Sequence, residues 1–265
     1  MKKIKASVLI ANYNNQKYIN ECLNSLLKQT YKNFEIIFHD DDSKDESIIN
    51  IKKYKNVKII ENKKRGKFGS LNQINAFQRA FKLCKGEFIF LLDSDDYFLK
   101  DKIKNIIKVF ESNSKIKVIY DLPIILEDKK KMLVKKKSKI IKNYWPYIPP
   151  QSCISFRRKY FAEIIKKIKV KNFYDVWMDF RLAIYLIYIE NNFYIHEQNL
   201  TIYRQNVNSV SSGFIFLSNN WWKRRKQAHD YVKYFFSKNK MQYFKNLDCL
   251  ITNFIYFFIK WLKKS

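Results

Sequence analysis

Three carboxylates stand within four residues at Asp93-Ser94-Asp95-Asp96, directly after the apolar run Phe88-Ile89-Phe90-Leu91-Leu92. Like charges this close repel. A hard divalent cation with oxygen ligands, Mg²⁺ or Mn²⁺, relieves the repulsion and leaves coordination positions for substrate phosphates. A second acidic run, His39-Asp40-Asp41-Asp42-Ser43, offers carboxylates that can accept hydrogen bonds from a ribose or a base N–H. The plainer alternative for both runs is helix capping, at a helix opening near Asp101 and at one opening at Ser43. Capping uses one or two of the carboxylates and leaves the others unexplained. A basic loop, Lys63-Lys64-Arg65-Gly66-Lys67, supplies cations for phosphate oxygens or a lid, and Gly66 and Gly69 are half of the chain's four glycines.

The elements around these residues alternate. Ser7 to Ala11, Phe34 to Phe38, Val57 to Ile60 and Phe88 to Leu92 read as strands, and Ile116 to Tyr120 as a fifth. Helical spacing recurs through Tyr18 to Leu27, Leu71 to Leu83 and Ile103 to Phe110, and Ser43-Lys44-Asp45-Glu46 has the form of a capping box before another helix. Repeated β-α-β units predict an α/β fold with a mostly parallel sheet covered on both faces. In such a sheet ligands bind outside the carboxyl ends of the strands, where both acidic runs fall.

Beyond Tyr120 the texture changes. Lys129 to Lys142 is Lys-rich without an acid and reads as an exposed hairpin or loop, whereas Tyr144 to Pro150 is stiff and aromatic, suited to a pocket wall. Two further helices are predicted, one from Trp221 through Phe235 and one from Leu247 to Trp261 followed by Lys263-Lys264. They either pack on the core or a partner subunit, or lie on an anionic membrane surface; charges at Asp248 and Lys260 argue against a span.

Composition bounds the class. The chain has 265 residues, 47% hydrophobic, with 52 Lys and Arg against 24 Asp and Glu and a formal net charge of +28. It can bury a core and is not a disordered polycation. Its field favours anionic partners: a phosphorylated substrate, an anionic membrane or a nucleic acid. The four dispersed cysteines show neither a zinc spacing nor a disulfide framework, and Met1-Lys2-Lys3-Ile4-Lys5 lacks a signal-peptide pattern. A cytoplasmic protein, peripheral at most on the cytoplasmic face of a membrane, is expected.

Taken in order, Val8-Leu9-Ile10-Ala11-Asn12-Tyr13-Asn14, Ser25 to Tyr31, Asp40-Asp41-Asp42-Ser43, Lys85-Gly86-Glu87 and Asp93-Ser94-Asp95-Asp96 closely resemble the family 2 inverting glycosyltransferases of GT-A fold over about residues 4 to 212. The resemblance implies a GT-A, Rossmann-like catalytic domain over 1–212. Residues 1–121 would form its nucleotide-binding half and 122–212 its acceptor-binding half, with a helical extension over 213–265. It implies transfer of a sugar from a nucleoside diphosphate donor, most often a UDP-sugar, to a saccharide or lipid-linked acceptor hydroxyl in cell-surface glycan synthesis. By the same resemblance Asp95 and Asp96 hold Mn²⁺ or Mg²⁺, Asp93 and Asp95 contact the donor, Asp41 meets the base, and Ala11 and Tyr13 line the nucleotide pocket. The segment Val176 to Arg181 matches the family's base position and gives Asp179 as catalytic base, with Asp175 as second choice. Arg204 is assigned to phosphate oxygens, and Asn206 stands where relatives carry a His. Asn75 and Gln78 remain alternatives for the nucleotide-facing side of their helix.

Two rival readings remain. A polynucleotide-binding or polynucleotide-processing protein accounts for the basic and aromatic segments, but not for two acidic loops at one sheet edge. An inactive scaffold of the same fold accounts for the acidic loops without chemistry.

Overall fold

The computed structural model describes residues 4–135, 145–146, 149–205 and 213–262. Within them nine strands form one sheet. Four of them, β1 (Ala6–Asn12), β2 (Phe34–Asp40), β3 (Val57–Glu61) and β4 (Phe88–Asp93), lie parallel in the order β3-β2-β1-β4. Their register matters for the site. Ala11 pairs with both His39 and Asp93, and Asn12 with Asp40, so the two acidic loops leave the sheet side by side at one edge.

The near-continuous apolar strands are explained by burial on both faces. Val8, Ile10, Phe88, Phe90 and Leu92 point into one cluster with α1 (Gln16–Leu27) and α4 (Lys102–Ser112). Leu9, Ile89 and Leu91 point into the other, with α3 (Gly69–Leu83), α5 (Arg158–Ile168) and α6 (Met178–Tyr185). Gly86 is required before β4, because a Cβ there would overlap the backbone of Ala6 and Ser7.

The parallel pattern ends at β4. The next neighbour is β8 (Ile154–Arg157), antiparallel to both β4 and β6 (Val118–Glu127), and β6 runs parallel to β9 (Tyr194–Arg204). The mostly parallel sheet expected from the sequence is therefore parallel in its first half and mixed in its second. The last strand, β5 (Tyr97–Phe98), follows the Asp93 to Asp96 run immediately and pairs with β9 at Thr201 and Ile202. The far end of the sheet thus curls back onto the acidic loop.

Two local expectations change. The helix after Asp40 to Asp42, α2 (Ser47–Lys52), starts three residues later than the capping box predicts. Ser43 is engaged elsewhere: its hydroxyl donates to Asp40 Oδ1 at 2.6 Å and accepts from Asn14 N at 2.9 Å, tying the loop to the end of β1. The Asp93 to Asp96 run does not cap α4 either, since β5 intervenes and the residue before that helix is Asp101. The Lys-rich hairpin is present as β6 and β7 (Lys130–Leu133), turning at Asp128 and Lys129, which both have positive φ. Lys136 to Lys142 lie outside the described residues.

The C-terminal helices are α7 (Asn219–Lys238), capped by the Ser218 hydroxyl, and α8 (Leu247–Leu262). Ala228, Tyr231, Val232, Phe235 and Phe236 of α7 join the cluster that holds α3, α5 and α6. Among the described residues no helix is long and apolar enough to cross a membrane.

Candidate active site

A cavity of about 350 Å³ opens at the carboxyl edge of the sheet. Its lining gathers residues far apart in sequence: Ala11, Tyr13, Asp41, Asp93, Asp95, Asp179 and Arg204 all border it. Each of these was singled out by the sequence. Asp96 does not border the cavity.

On the β2 side, Asp40 braces the loop and Asp41 faces the cavity. Asn12 Nδ2 donates to Asp40 Oδ1 at 2.7 Å, and Ser43 N to Asp40 Oδ2 at 2.9 Å. Asp41 accepts from Asn62 Nδ2 at 2.8 Å and lies 3.2 Å from Arg65 Nε. Burial raises the Asp41 carboxyl above its ordinary value, opposed by these two partners. The Arg65 guanidinium also lies 3.6 Å over the Tyr13 ring, so the basic loop covers this end of the cavity.

On the β4 side the three acids have different surroundings. Asp93 Oδ1 accepts from Gln73 Nε2 at 2.9 Å and Gln151 Nε2 at 3.0 Å, and burial together with the charge of Asp95 pushes its carboxyl up to about 8. Asp96 is 1% exposed and turned into the protein. Its Oδ2 accepts from Ser152 Oγ at 2.5 Å and its Oδ1 from Arg204 N at 2.8 Å. The expected metal pair of Asp95 and Asp96 is thus divided: Asp95 reaches the cavity with Asp93, and Asp96 fastens the loop from behind. Burial and the charge of Asp95 disfavour the ionised form of Asp93, and a hard divalent cation completed by substrate oxygens would offset that cost.

Behind Asp96 lies a buried ion pair. Lys102 and Asp121 are both fully buried and 2.8 Å apart. Lys102 Nζ also donates to Ser152 O and to Thr201 Oγ1, each at 2.6 Å, and sits 3.9 Å from the Phe98 ring centre. Ser152 Oγ in turn accepts from Asp93 N at 3.0 Å while donating to Asp96. One lysine thereby connects α4, β6, β9 and the acidic loop. Arg204 has a similar duty: its Nε donates to Asp95 O at 2.9 Å and its guanidinium pairs with Glu21 at 2.5 Å. The guanidinium expected at phosphate oxygens therefore also anchors the loop. Asn206 lies outside the described residues.

The opposite wall comes from α6 and α7. Asp179 is the second residue of α6, its Oδ1 accepting from Phe180 N at 3.0 Å. Burial raises its carboxyl to about 6, opposed by that bond and by the charge of Arg224. Asp175 does not border this cavity: its Oδ2 accepts from Gln227 Nε2 at 2.7 Å and lies 3.3 Å from Lys223 Nζ. Trp177, Tyr203, Pro150, Gln151 and Arg224 complete this side. Pro150 is the part of the aromatic segment that reaches the cavity, and Trp145 stacks on Trp177 behind it, their ring centroids 6.2 Å apart. Tyr144, Tyr147 and Ile148 lie outside the described residues.

Several of these residues carried no signal alone. Gln73 and Ala76 of α3 border the cavity in place of Asn75 or Gln78, and Gln78 instead accepts from Lys169 Nζ at 2.7 Å. Their facing side follows from the helix phase set by buried Ile74, Phe77 and Ala80. Lys102 and Arg224 looked like two more cations in a basic chain.

A curled sheet with helices on both faces and an acid-lined cavity at its carboxyl edge defines a glycosyltransferase domain of GT-A fold. The family model described as glycosyl transferase family 2 matches residues 7–168, and the chain belongs to that family, a family of transferase enzymes. Among curated proteins it is 42% identical over 106 residues to the Escherichia coli UDP-Glc:alpha-D-GlcNAc-diphosphoundecaprenol beta-1,3-glucosyltransferase WfaP, covering 40% of this chain and 41% of that protein. The fold matches Staphylococcus aureus TarS 1-349 in complex with UDP at TM-score 0.60 and 19% identity, over 84% of this chain and 64% of that one. It also matches the mannosyltransferase PcManGT of Pyrobaculum calidifontis in complex with GDP-Man and Mn²⁺ at TM-score 0.58 and 14% identity, over 96% of this chain and 70% of that one. The matches span between 18% and 65% of the length of the first curated relatives.

Proposed function

We propose that this chain transfers a sugar, with inversion, from a nucleoside diphosphate sugar to a hydroxyl of a saccharide or lipid-linked acceptor. A UDP-sugar is the expected donor, and the product belongs to cell-surface glycan synthesis. The observation that carries this reading is that Asp93 and Asp95, at the end of β4, and Asp179, at the start of α6, border a single cavity. The relative WfaP, named for a UDP-Glc donor and a lipid diphosphate acceptor, supports the choice of substrates.

In this reading Asp41 and Tyr13 receive the base, and Asp93 and Asp95 hold the cation, with Asp96 and Arg204 positioning them. Mn²⁺ or Mg²⁺ held by these residues would supply positive charge for the diphosphate leaving group. Asp179 accepts the proton of the acceptor hydroxyl as that oxygen bonds to C1 of the sugar and the bond from C1 to the diphosphate oxygen breaks. Burial suits the group to this work, since a carboxyl raised to about 6 is ionised at neutral pH and more basic than an exposed one.

Thermal melting with a panel of nucleoside diphosphate sugars, with and without Mn²⁺, is the test, followed by a transfer assay with the donor that stabilises most. A UDP-sugar is expected to raise the melting temperature only with the metal, and Asp95→Asn to remove that increment. If no sugar nucleotide stabilises the protein, or Asp95→Asn responds as the parent does, the reading fails.

A further inference from the structure

Helix α8 has two chemically opposite faces. One is docked: Cys249 and Thr252 are buried, and Asp248 accepts from Trp145 Nε1 at 2.6 Å and pairs with Arg225 and His229 of α7 at 2.5 and 2.9 Å. On the other, Leu247, Leu250, Ile251, Phe254, Phe258 and Trp261 recur every three or four residues, each 46 to 74% exposed. A contiguous apolar stripe of this kind marks an interaction surface rather than a solvated face.

The charge around the stripe selects the partner. Residues 219–262 contain nine Lys and Arg against two Asp. Lys238, Lys240 and Lys245 stand exposed before the start of α8 and Lys260 near its end. Two copies of a chain with net charge +28 repel each other, whereas an anionic bilayer attracts it. Sixteen residues make a helix about 24 Å long, shorter than the hydrocarbon core, so it fits in the plane of the interface.

We infer that α8 lies flat on an anionic lipid bilayer, its apolar stripe at the acyl boundary and the flanking lysines among the headgroups. Consecutive residues of α7 connect this surface to the site: Arg225 grips Asp248 of α8, and Arg224 borders the cavity. If the acceptor is lipid-linked, which rests on the proposed function, the bilayer is held one helix away from the cavity it must reach.

The test is sedimentation of the full chain with phosphatidylcholine vesicles containing about 30% phosphatidylglycerol, compared with phosphatidylcholine alone. The parent is expected to sediment with the anionic vesicles and to be released by salt. Combining Phe254→Ser, Phe258→Ser and Trp261→Ser is expected to weaken binding about tenfold or more. Because all three side chains are exposed, the melting temperature should not move. The inference is overturned if the parent stays in the supernatant, if neutral vesicles bind it equally, or if the triple variant binds as well as the parent. It is also overturned if light scattering shows a dimer that these substitutions dissociate in a protein indifferent to vesicles, which assigns the stripe to a second copy. No donor or metal is needed, so the result is independent of the transfer assay.

Discussion

The two walls of the cavity are built by different means. The wall carrying Asp41, Asp93 and Asp95 hangs from the ends of adjacent parallel strands, where the pairing of Ala11 with His39 and Asp93 fixes the loops by backbone register. The wall carrying Asp179, Trp177 and Arg224 is held by packing of α6 and α7, through Phe180, Tyr231 and their neighbours. Backbone pairing fixes the first wall through hydrogen-bond register, whereas the second rests on side-chain packing of Phe180 and Tyr231 in a cluster shared with Leu9, Ile89 and Leu91 of the sheet.

The largest effect should come from separating the walls chemically. Asp179→Asn is expected to lower transfer by about 10²- to 10⁴-fold while the Mn²⁺-dependent donor stabilisation persists, as measured by steady-state kinetics beside thermal melting. In the parent, transfer should rise with pH through about 6 and level off above it, because burial raises the Asp179 carboxyl and only the ionised form accepts a proton. An unchanged rate in the variant would remove the base from the second wall.

The buttress behind the first wall comes next. Lys102→Met leaves Asp121 without its ion partner in a fully buried position, and a loss of about 3–5 kcal/mol is expected by urea denaturation. Removing both partners together, with Asp121→Leu added, should recover part of it. Stability unchanged by the single substitution would mean that the pair does not hold the acidic loop. The smallest effect concerns helix phase. Gln73→Ala removes one hydrogen bond to Asp93 and should weaken donor binding about fivefold by titration, whereas Asn75→Ala should leave it unchanged.

Legibility followed the same division. The strands, the ordered acidic loops and the cavity residues Asp41, Asp93 and Asp95 were readable because strand, loop and acid are contiguous in sequence. Ala11, Tyr13 and Asp179 were readable only by resemblance to a family. Ser43 misled, since its capping-box spacing is local while its hydroxyl is claimed by Asp40 and Asn14 from two other strand ends. Asp96 was placed in the right loop, but which carboxylate faces the cavity depends on Ser152 and on the return of β9; Arg204 borders the cavity and also fastens that loop. Lys102 is one of 52 basic residues, and only the assembled fold buries it.

The Arg65 guanidinium stacked on Tyr13 has a consequence for donor binding. In the proposed reading that ring receives the base, yet its face already has a flat cation on it, 3.6 Å away and tethered to Asp41. A nucleotide therefore arrives by exchange. The free energy of binding is the difference between two stacks, and the donor must supply enough at its phosphates to make the trade downhill. A bare nucleoside, which brings a base and no phosphates, should be turned away at the same ring.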